Sequence, residues 1–487
     1  MDIHATTFAF PTVRLLLPAL ASGLLASVNL QAQSQQPPTV PAPLYVNHNL
    51  ATGNDDGTTW EDAFRTTTAA GSALDRAIAA QGAYGSIWVA QSLTGYVPSN
   101  PATGFLIQKP LQLYGGFIGG ETSVHARKGS YVRTILEGAN TRKHVVSITP
   151  PTQGWIVIPG ASPGIVIDGF QITRGNGSLP GEVGGGILCL SFDLDLANCF
   201  VWQNQAHDQG GGLWFLGGGG IGPDVPAYHH LRIKNSEFTG NATDYEGGAI
   251  YARIVTGEIV NTSFRSNAAL LHGGAVLLRD MLTENRLDFT NCVFQWNATN
   301  DTGGNDKGGA ICLQQQGYAL LVNCTLADNA TINENGGPAV FIGSASAAEI
   351  YNSILYFNRT GSSNPPAQIF PGAFVQYSDV ENLVGGLGNI DADPLFVRRS
   401  LGNLRLKNLP AMGEVSPCID AADYSRLPPD NLDANGDGIV TQIFPIDLDG
   451  LGRLTDVPAV TDQGVGSTGP MGCPTCTYLD MGAYEVP

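Results

Sequence analysis

Apolar and polar residues alternate with a period of two in short segments along much of the chain. Residues 193–196 (Asp-Leu-Asp-Leu) and 231–234 (Leu-Arg-Ile-Lys) are clear examples. Successive side chains of a β-strand point to opposite faces, whereas a helix repeats about every 3.6 residues. The pattern therefore predicts short strands with one buried face rather than helices.

Pairs of asparagines recur between residues 198 and 358. In each pair the second asparagine follows six residues after the first, a small residue comes directly after the first, and a bulky apolar residue comes three positions after it. The six pairs are Asn198/Asn204, Asn235/Asn241, Asn261/Asn267, Asn291/Asn297, Asn323/Asn329 and Asn352/Asn358. Successive pairs are about 26 to 37 residues apart, which is typical of a solenoid whose coils are single supersecondary units.

Asparagine and glycine both suit the bends of such coils. Asparagine tolerates left-handed backbone geometry, and its amide can hydrogen-bond an asparagine one coil away, at about the spacing of neighbouring strands. Five of the units lead on to a glycine pair and an aliphatic residue, and a further glycine pair precedes the first unit. The pairs are Gly184-Gly185, Gly210-Gly211, Gly247-Gly248, Gly273-Gly274, Gly308-Gly309 and Gly336-Gly337. We therefore predict an all-β fold, a parallel β-helix.

The ends of the chain differ from this regular middle part. An apolar segment too short to span a bilayer, with Arg14 before it, predicts a signal peptide over residues 1–32. The alternative is a retained membrane anchor. A Pro/Gln-rich linker follows at 33–43, then an N-terminal cap with the first coils at 44–160, regular coils at 161–380 and a loop-rich C-terminal module at 381–487.

A short helix is predicted in the N-terminal part. Ser72 is a suitable N-cap residue, and Leu74, Ala77 and Ile78 then lie on one face of the helix. The first coil of a solenoid exposes an unpaired edge unless another element covers it. We expect this capping helix to cover that edge.

Composition limits the partners of the protein. The 487 residues carry a formal net charge of −18 with a charged fraction of 14%. Nucleic acids and anionic membranes require clustered Lys and Arg, so we expect neither as a partner. The acidic surface is compatible with glycans or with cations. We expect no membrane span in the mature chain, and we expect a monomer.

Disulfides form in exported proteins, so the eight cysteines are candidates for disulfide bonds. Cys199, Cys292 and Cys324 occupy one inward column, where small buried thiols are favoured over a disulfide. Cys473 and Cys476 form a C-x-x-C motif in a Gly/Pro-rich loop. Because the residues after it read as a strand and not as a helix, we expect a structural disulfide among these two and Cys418 rather than a redox site.

Several short motifs in the sequence resemble those of known repeat proteins. The repeats 247–250 (Gly-Gly-Ala-Ile) and 238–241 (Phe-Thr-Gly-Asn) look like those of chlamydial polymorphic membrane proteins. Residues 45–60 and 113–117 look like the N-terminal part of bacterial secreted right-handed parallel β-helix proteins with a pectin-lyase-like fold, and the whole chain resembles these proteins. The end of the chain, including 391–396 and 480–485, is similar to the choice-of-anchor module of such proteins. The resemblance implies a right-handed helix and export, and says little about chemistry.

One outward column is a candidate ligand-binding surface. The strands after the glycine pairs have two inward apolar columns, so the column between them points outward. It contains Leu188, Trp214, Tyr251, Leu277, Cys312 and Phe341. Sugar rings stack on exposed aromatic rings, so Trp214, Tyr251 and Phe341 are candidate glycan-binding residues. The alternative is that another layer, such as the insertion 216–230, covers this apolar stripe.

A polar column precedes the glycine pairs. Its members Glu246, His272 and Lys307, with Asp306 one position before Lys307, are candidate catalytic residues of a polysaccharide lyase. By resemblance, such enzymes hold Ca²⁺ with carboxylates and remove a proton with a basic residue. A polygalacturonase would require paired carboxylates in motifs that this sequence lacks, apart from Arg232-Ile233-Lys234.

One loop of the C-terminal module has an ion-binding spacing. Asp433, Asn435 and Asp437 place oxygen ligands at alternate positions before Gly438, as in the first half of an EF-hand loop. The expected glutamate at position 12 is missing. We therefore expect weak Ca²⁺ binding, completed by the Ile439 carbonyl and by one of two further acids, Asp447 or Asp449. The alternative is a solvated acidic turn.

These observations favour a secreted or cell-surface protein that binds extracellular glycans or another cell-surface component without catalysis. The alternative from a different class is a polysaccharide lyase or related carbohydrate-active enzyme. Three or more carboxylates beside Lys307 or Arg253 would favour the lyase. An open aromatic strip without converging acids would favour binding.

Overall fold

The computed structural model describes residues 41–92, 94–128, 134–151, 164–218, 228–280, 286–361, 366–383, 385–453, 457, 460, 463–466 and 478–486. The predicted signal peptide and most of the predicted linker lie outside these residues. Residues Pro41–Pro487 form one compact unit. Within its described part, the chain is a stack of parallel β-sheets, which confirms the predicted all-β parallel β-helix.

Each regular coil adds one strand to each of three long sheets. The first sheet contains Leu44–Val46, Ser86–Ala90, Gln112–Phe117, Ile165–Asp168, Leu194–Ala197, His229–Lys234, Val255–Val260, Leu287–Thr290, Tyr318–Val322, Ala347–Tyr351 and Phe374–Gln376. The second sheet contains Phe105–Ile107, Val146–Ile148, Ile187–Leu190, Leu213–Leu216, Ile250–Arg253, Val276–Arg279, Ile311–Gln314, Val340–Ile342 and Ile369–Phe370. The third sheet contains Ile135–Glu137, Gln171–Thr173, Phe200–Trp202, Glu237–Thr239, Ser263–Arg265, Val293–Gln295, Thr325–Ala327, Ile354–Tyr356 and Asp379–Val380.

A narrower sheet and several short elements complete the fold. The fourth parallel sheet contains Asn176–Gly177, Gln205–Ala206, Ala242–Thr243, Ala268–Ala269 and Ala298–Thr299. Two antiparallel hairpins, Phe396–Arg398 with Asn403–Leu406 and Asn408–Leu409 with Glu414–Val415, belong to the C-terminal module. In the described residues the helices are the α-helix Ala73–Ala80 and the 3₁₀ turns Val124–Ala126, Arg399–Leu401, Pro410–Met412 and Tyr424–Arg426.

The core is a continuous stack of inward-facing apolar columns. Ile250 pairs with Val276 in register, and both side chains are fully buried, as the period-two pattern predicts. The bulky residue of each asparagine unit also points inward, and successive rings stack along the axis. The Phe238 and Phe264 centroids are 5.3 Å apart, and those of Phe264 and Phe294 are 4.7 Å apart. Stacking of equivalent residues therefore extends one core through all the regular coils.

The two asparagines of each unit differ in position and in their hydrogen bonds. The outer asparagine column, which we define as Asn198, Asn235, Asn261, Asn291, Asn323 and Asn352, lies at the bend between the first and third sheets, with φ between 49° and 60°. The inner asparagine column consists of Asn204, Asn241, Asn267, Asn297, Asn329 and Asn358. Its members are almost completely buried, and each amide nitrogen from Asn204 to Asn329 donates to the side-chain oxygen of the next member, over 2.8–3.1 Å.

Glycine is required at the first position of five of the glycine pairs, and at the second position of the pair Gly336-Gly337, because φ is positive there. Gly247 has φ of +68°, and a Cβ there would lie 2.5 Å from the carbonyl oxygen of Ile250. A side chain at this position would therefore clash with the strand that follows the turn.

The short helix predicted in the N-terminal part is present as Ala73–Ala80. Ser72 caps it, with reciprocal hydrogen bonds between Ser72 and Asp75. Leu74, Ala77 and Ile78 are buried in the same apolar cluster as the first strands. None of the helices in the described part of the chain is long and apolar enough to cross a membrane.

The C-terminal module lies along the outer asparagine column. The amide nitrogen of Asn235 donates to the carbonyl oxygen of Ala434 (3.0 Å), that of Asn323 donates to the carbonyl of Asp480 (3.2 Å), and that of Asn352 donates to the carbonyl of Asp423 (2.9 Å). The backbone N–H of Asp423 in turn donates to Asn352 Oδ1 over 2.8 Å. The bends of successive coils thus supply a row of side chains that hold the module.

Candidate functional site

The outer face of the second sheet carries the predicted aromatic stripe. Trp214, Tyr251 and Phe341 lie in one outward column, since Trp214 pairs with Tyr251 and the register continues through Leu277 and Cys312. However, the stripe is mostly covered. Tyr251 is 3% exposed and Phe341 9% exposed, while Leu277 and Cys312 are fully buried. Among the three aromatic residues, only Trp214 is half-buried. The expectation of an open strip therefore holds only at the Trp214 end of the stripe.

Polar side chains fix the position of the Trp214 ring. Trp214 Nε1 donates to Gln209 Oε1 over 3.2 Å, and Gln209 Nε2 donates to Glu246 Oε2 over 3.1 Å. Glu246 also pairs with Arg279 over 2.8 Å, and Arg279 contacts Gln314 on the next coil. The Trp214 and Tyr251 rings are nearly parallel, at 7°, with centroids 6.5 Å apart. An aromatic ring next to a row of hydrogen-bonding groups is an arrangement that suits a sugar.

We missed Arg279 and Gln314 in the sequence. They occupy the last position of their strands, where Arg253, Arg279 and Gln314 are in register on adjacent coils. The signal that would have identified them is a polar column at the end of the same strands that carry the aromatic stripe. Arg253, in contrast, is paired with Asp280 over 2.6 Å.

Three of the four candidate catalytic residues lie side by side. Glu246, His272 and Lys307 are bridged in parallel on successive coils. Burial lowers the pKa of His272, and the nearby Glu246 carboxylate only partly opposes this shift. His272 Nδ1 is buried with no hydrogen-bond partner among the described residues. Lys307 Nζ lies 4.8 Å from the Phe341 ring centroid.

Asp306 does not belong to this group. It is fully buried, and its oxygens accept hydrogen bonds from the Thr299 hydroxyl (3.0 Å) and from the backbone N–H groups of Ile332 (2.6 Å) and Asn333 (2.9 Å). Its carboxylate therefore holds the turn of the next coil. Neighbouring residues of a turn point in different directions, which is why adjacency to Lys307 in the sequence was misleading.

The predicted calcium-binding loop brings together only some of the predicted ligands. Asp433 Oδ1 accepts the N–H of Gly438 (3.0 Å), Asn435 Oδ1 accepts that of Asp437 (3.2 Å), and Asp437 Oδ1 accepts that of Ile439 (2.7 Å). The three side chains therefore turn back over one exposed loop. Within the described residues, no group of three or more His, Cys, Asp or Glu side chains is placed to hold a metal ion.

The two further predicted ligands have other roles. Asp447 is fully buried and accepts the backbone N–H groups of Asp449, Leu451 and Glu485 over 2.8–3.0 Å. Asp449 forms a two-point ion pair with Arg405, with both distances 2.5 Å. Both carboxylates thus have partners away from the loop, and their part in a Ca²⁺ site stays a prediction.

The cysteines of the coils are buried free thiols, among them Cys199, Cys292 and Cys324. Burial raises the pKa of the Cys199 thiol to about 12. Cys418 is also a free thiol, and it donates to Asp379 Oδ2 over 3.2 Å, so a disulfide that includes Cys418 is wrong. Cys473 and Cys476 lie outside the described residues.

Comparison of the sequence with protein-family models and with curated proteins finds no match. The fold and the geometry of the outer faces therefore carry the functional argument.

Proposed function

We propose that the protein is exported and binds extracellular glycans at the cell surface or in the medium, as a monomer and without catalysis. The observation that carries this proposal is the half-buried Trp214 ring with its fixed polar neighbours Gln209, Glu246 and Arg279. An aromatic ring packs against the apolar face of a sugar, and amide, carboxylate and guanidinium groups bind its hydroxyls. The formal charge of −18 favours neutral glycans over polyanionic ones.

A polysaccharide lyase is the second candidate, because His272 lies beside Glu246 and Lys307. A general base must be uncharged before it accepts a proton, and burial lowers the pKa of His272 in that direction. Against this candidate, Glu246 is the one carboxylate of this group, and Arg279 pairs with it. The three converging carboxylates that would favour a lyase are not found beside Lys307 or Arg253 in the described part of the chain.

The proposal includes Ca²⁺ as a ligand of the C-terminal module. Asp433, Asn435 and Asp437, with the Ile439 carbonyl, are the hard oxygen donors that Ca²⁺ prefers. With four protein ligands, binding would be weak, on the order of 10⁻⁴ to 10⁻³ M, as in extracellular modules. The loop is tied to the β-helix, because Lys234 Nζ donates to the carbonyls of Leu432 and Asp433 over 2.7 and 3.1 Å.

A polysaccharide array tests binding and catalysis together. Retention of the purified protein without release of unsaturated products would support binding, whereas release of such products would support the lyase. Trp214→Ala should reduce retention and leave the melting temperature nearly unchanged. Trp296→Ala, at an exposed tryptophan on another face, is the matched control and should retain binding. Equal retention by both variants and the wild type would remove Trp214 from the site.

Tyr251→Ala serves as a second control for the stripe. Because Tyr251 is buried, this substitution should destabilise the protein by about 3–5 kcal/mol. Its effect on retention therefore has to be measured on the folded fraction.

A further inference from the structure

A separate cavity of about 630 Å³ opens on the outer face of the first sheet, near the last coils. Its lining includes Tyr318, Glu349, Tyr351 and Phe374, together with Ile342 and several small residues. None of the first four residues takes part in the Trp214 surface, which belongs to the second sheet. The cavity combines three aromatic rings with one carboxylate.

The register of the strands explains why these side chains meet. Glu349 pairs with Phe374 on the next coil. Tyr318 lies on the preceding coil and pairs with Ala347, which is in the same strand as Glu349. Both tyrosine hydroxyls donate to the Glu349 carboxylate, that of Tyr351 over 3.0 Å. The carboxylate is thus held between two rings, and its orientation is fixed before any ligand arrives.

The Phe374 side chain lies at the open side of the cavity. It is 53% exposed, although an inward-facing neighbour, Val375, is buried in the core. The Phe374 ring meets the Tyr351 ring edge to face, with centroids 6.0 Å apart. A large exposed apolar ring beside hydrogen-bonding groups is the arrangement in which one face of a pyranose ring packs well.

The charges around the cavity oppose an anionic ligand. The Arg426 guanidinium lies 4.4 Å from the Tyr351 ring centroid and pairs with Asp423 over 3.6 Å, and Arg286 pairs with Asp288 over 2.8 Å. Because both arginines are paired with carboxylates, Glu349 is the remaining charge of this group, and it opposes an anionic ligand. Burial, with a further effect of Glu349, raises the pKa of Tyr318 to about 12, so its hydroxyl remains a donor.

We propose that this cavity binds one residue of a neutral glycan, with the apolar ring face on Phe374 and the ring hydroxyls on Glu349 and Tyr318. The proposal rests on the proposed glycan-binding function and adds to it a second site and a ligand charge.

Affinity electrophoresis in gels that contain galactomannan, xyloglucan or laminarin tests the site, with immobilised polygalacturonate as the acidic comparison. We expect the wild-type protein to be retarded by at least one neutral polysaccharide. Phe374→Ala should weaken that binding at least about tenfold, and Glu349→Gln should weaken it in the same gel. Leu387→Ala, at another exposed apolar residue beyond the last coil, is the matched control and should bind like the wild type.

The outcomes separate this site from the proposed function. Wild-type affinity in Phe374→Ala would overturn the site, and loss of binding in Trp214→Ala alone would keep glycan binding but place it on the second sheet. Retention by polygalacturonate alone would also overturn the neutral-glycan site while glycan binding stands. A wild-type protein that binds none of the probes would overturn both proposals.

Discussion

Replacement of one inner asparagine, Asn297→Ala, should strongly destabilise the β-helix. Asn297 is fully buried, and its side chain makes four hydrogen bonds. Its Oδ1 accepts the backbone N–H (3.1 Å) and the side-chain amide (2.9 Å) of Asn267, and its Nδ2 donates to the carbonyl of Phe264 and to Asn329 Oδ1, both over 2.9 Å. Alanine keeps none of them.

The magnitude follows from the groups that lose their partners. The backbone N–H of Asn267 and the carbonyl of Phe264, both in buried residues, each lose the Asn297 side chain as a partner. A buried polar group without a partner costs on the order of 1–3 kcal/mol, so the two together give about 2–6 kcal/mol. Because Asn297 does not have a positive φ, alanine adopts the same backbone, and strain adds nothing to this figure.

Urea unfolding followed by far-ultraviolet circular dichroism measures the effect, provided that refolding restores the signal. Asn300→Ala is the control, since Asn300 is an exposed asparagine three residues further along the same chain. An exposed substitution of this kind usually changes the free energy of unfolding by less than about 0.5 kcal/mol. Coinciding midpoints for the two variants would refute the role assigned to the inner asparagine column.

Three further predictions concern the C-terminal module and the last strand of the third sheet. Arg453 is fully buried and paired with Glu485 over 3.2 Å, so Arg453→Met should destabilise the protein by about 3–5 kcal/mol in thermal melts, and an unchanged melting temperature would contradict this. Burial raises the pKa of Asp379 to about 7. The stability that Asp379 contributes should therefore be full below about pH 4 and be lost as the pH rises through about 7, and Asp379→Asn should flatten this part of the pH profile. Ca²⁺ at about 10 mM should raise the melting temperature relative to chelator, and the increment should vanish in Asp433→Ala/Asp437→Ala; equal curves for the wild type would leave the loop as a plain acidic turn.

The repetitive part of the fold could be predicted in detail from the sequence. Coils must align for their cores to be continuous, so the fixed offset between asparagines also fixes which residues stack. The pairing of Ile250 with Val276 and the inward position of Phe264 followed directly from this register. The N-terminal helix was predictable for a local reason, since Ser72 and the apolar face of the helix are sufficient signals within one short segment.

The candidate sites were harder to predict, because period-two alternation identifies a face without showing what covers it. Tyr251 points outward as expected, yet it is buried beside Leu277 and Cys312. The cavity around Glu349 was missed for a related reason. Tyr318, Glu349 and Phe374 lie on three successive coils, and no local motif in the sequence joins them.

The boundary predicted at residue 381 marks a change of sequence pattern but does not separate two independent folding units. Three residues of the third sheet, Val293, Ala327 and Ile354, are buried in one apolar cluster with Leu479 and other residues of the module. The outer asparagines show the same dependence. Asn198 is half-buried, whereas the later members Asn291, Asn323 and Asn352 are fully buried where they hydrogen-bond the module. Removal of the module would expose both the apolar residues and these amides, so the coils and the module stabilise each other.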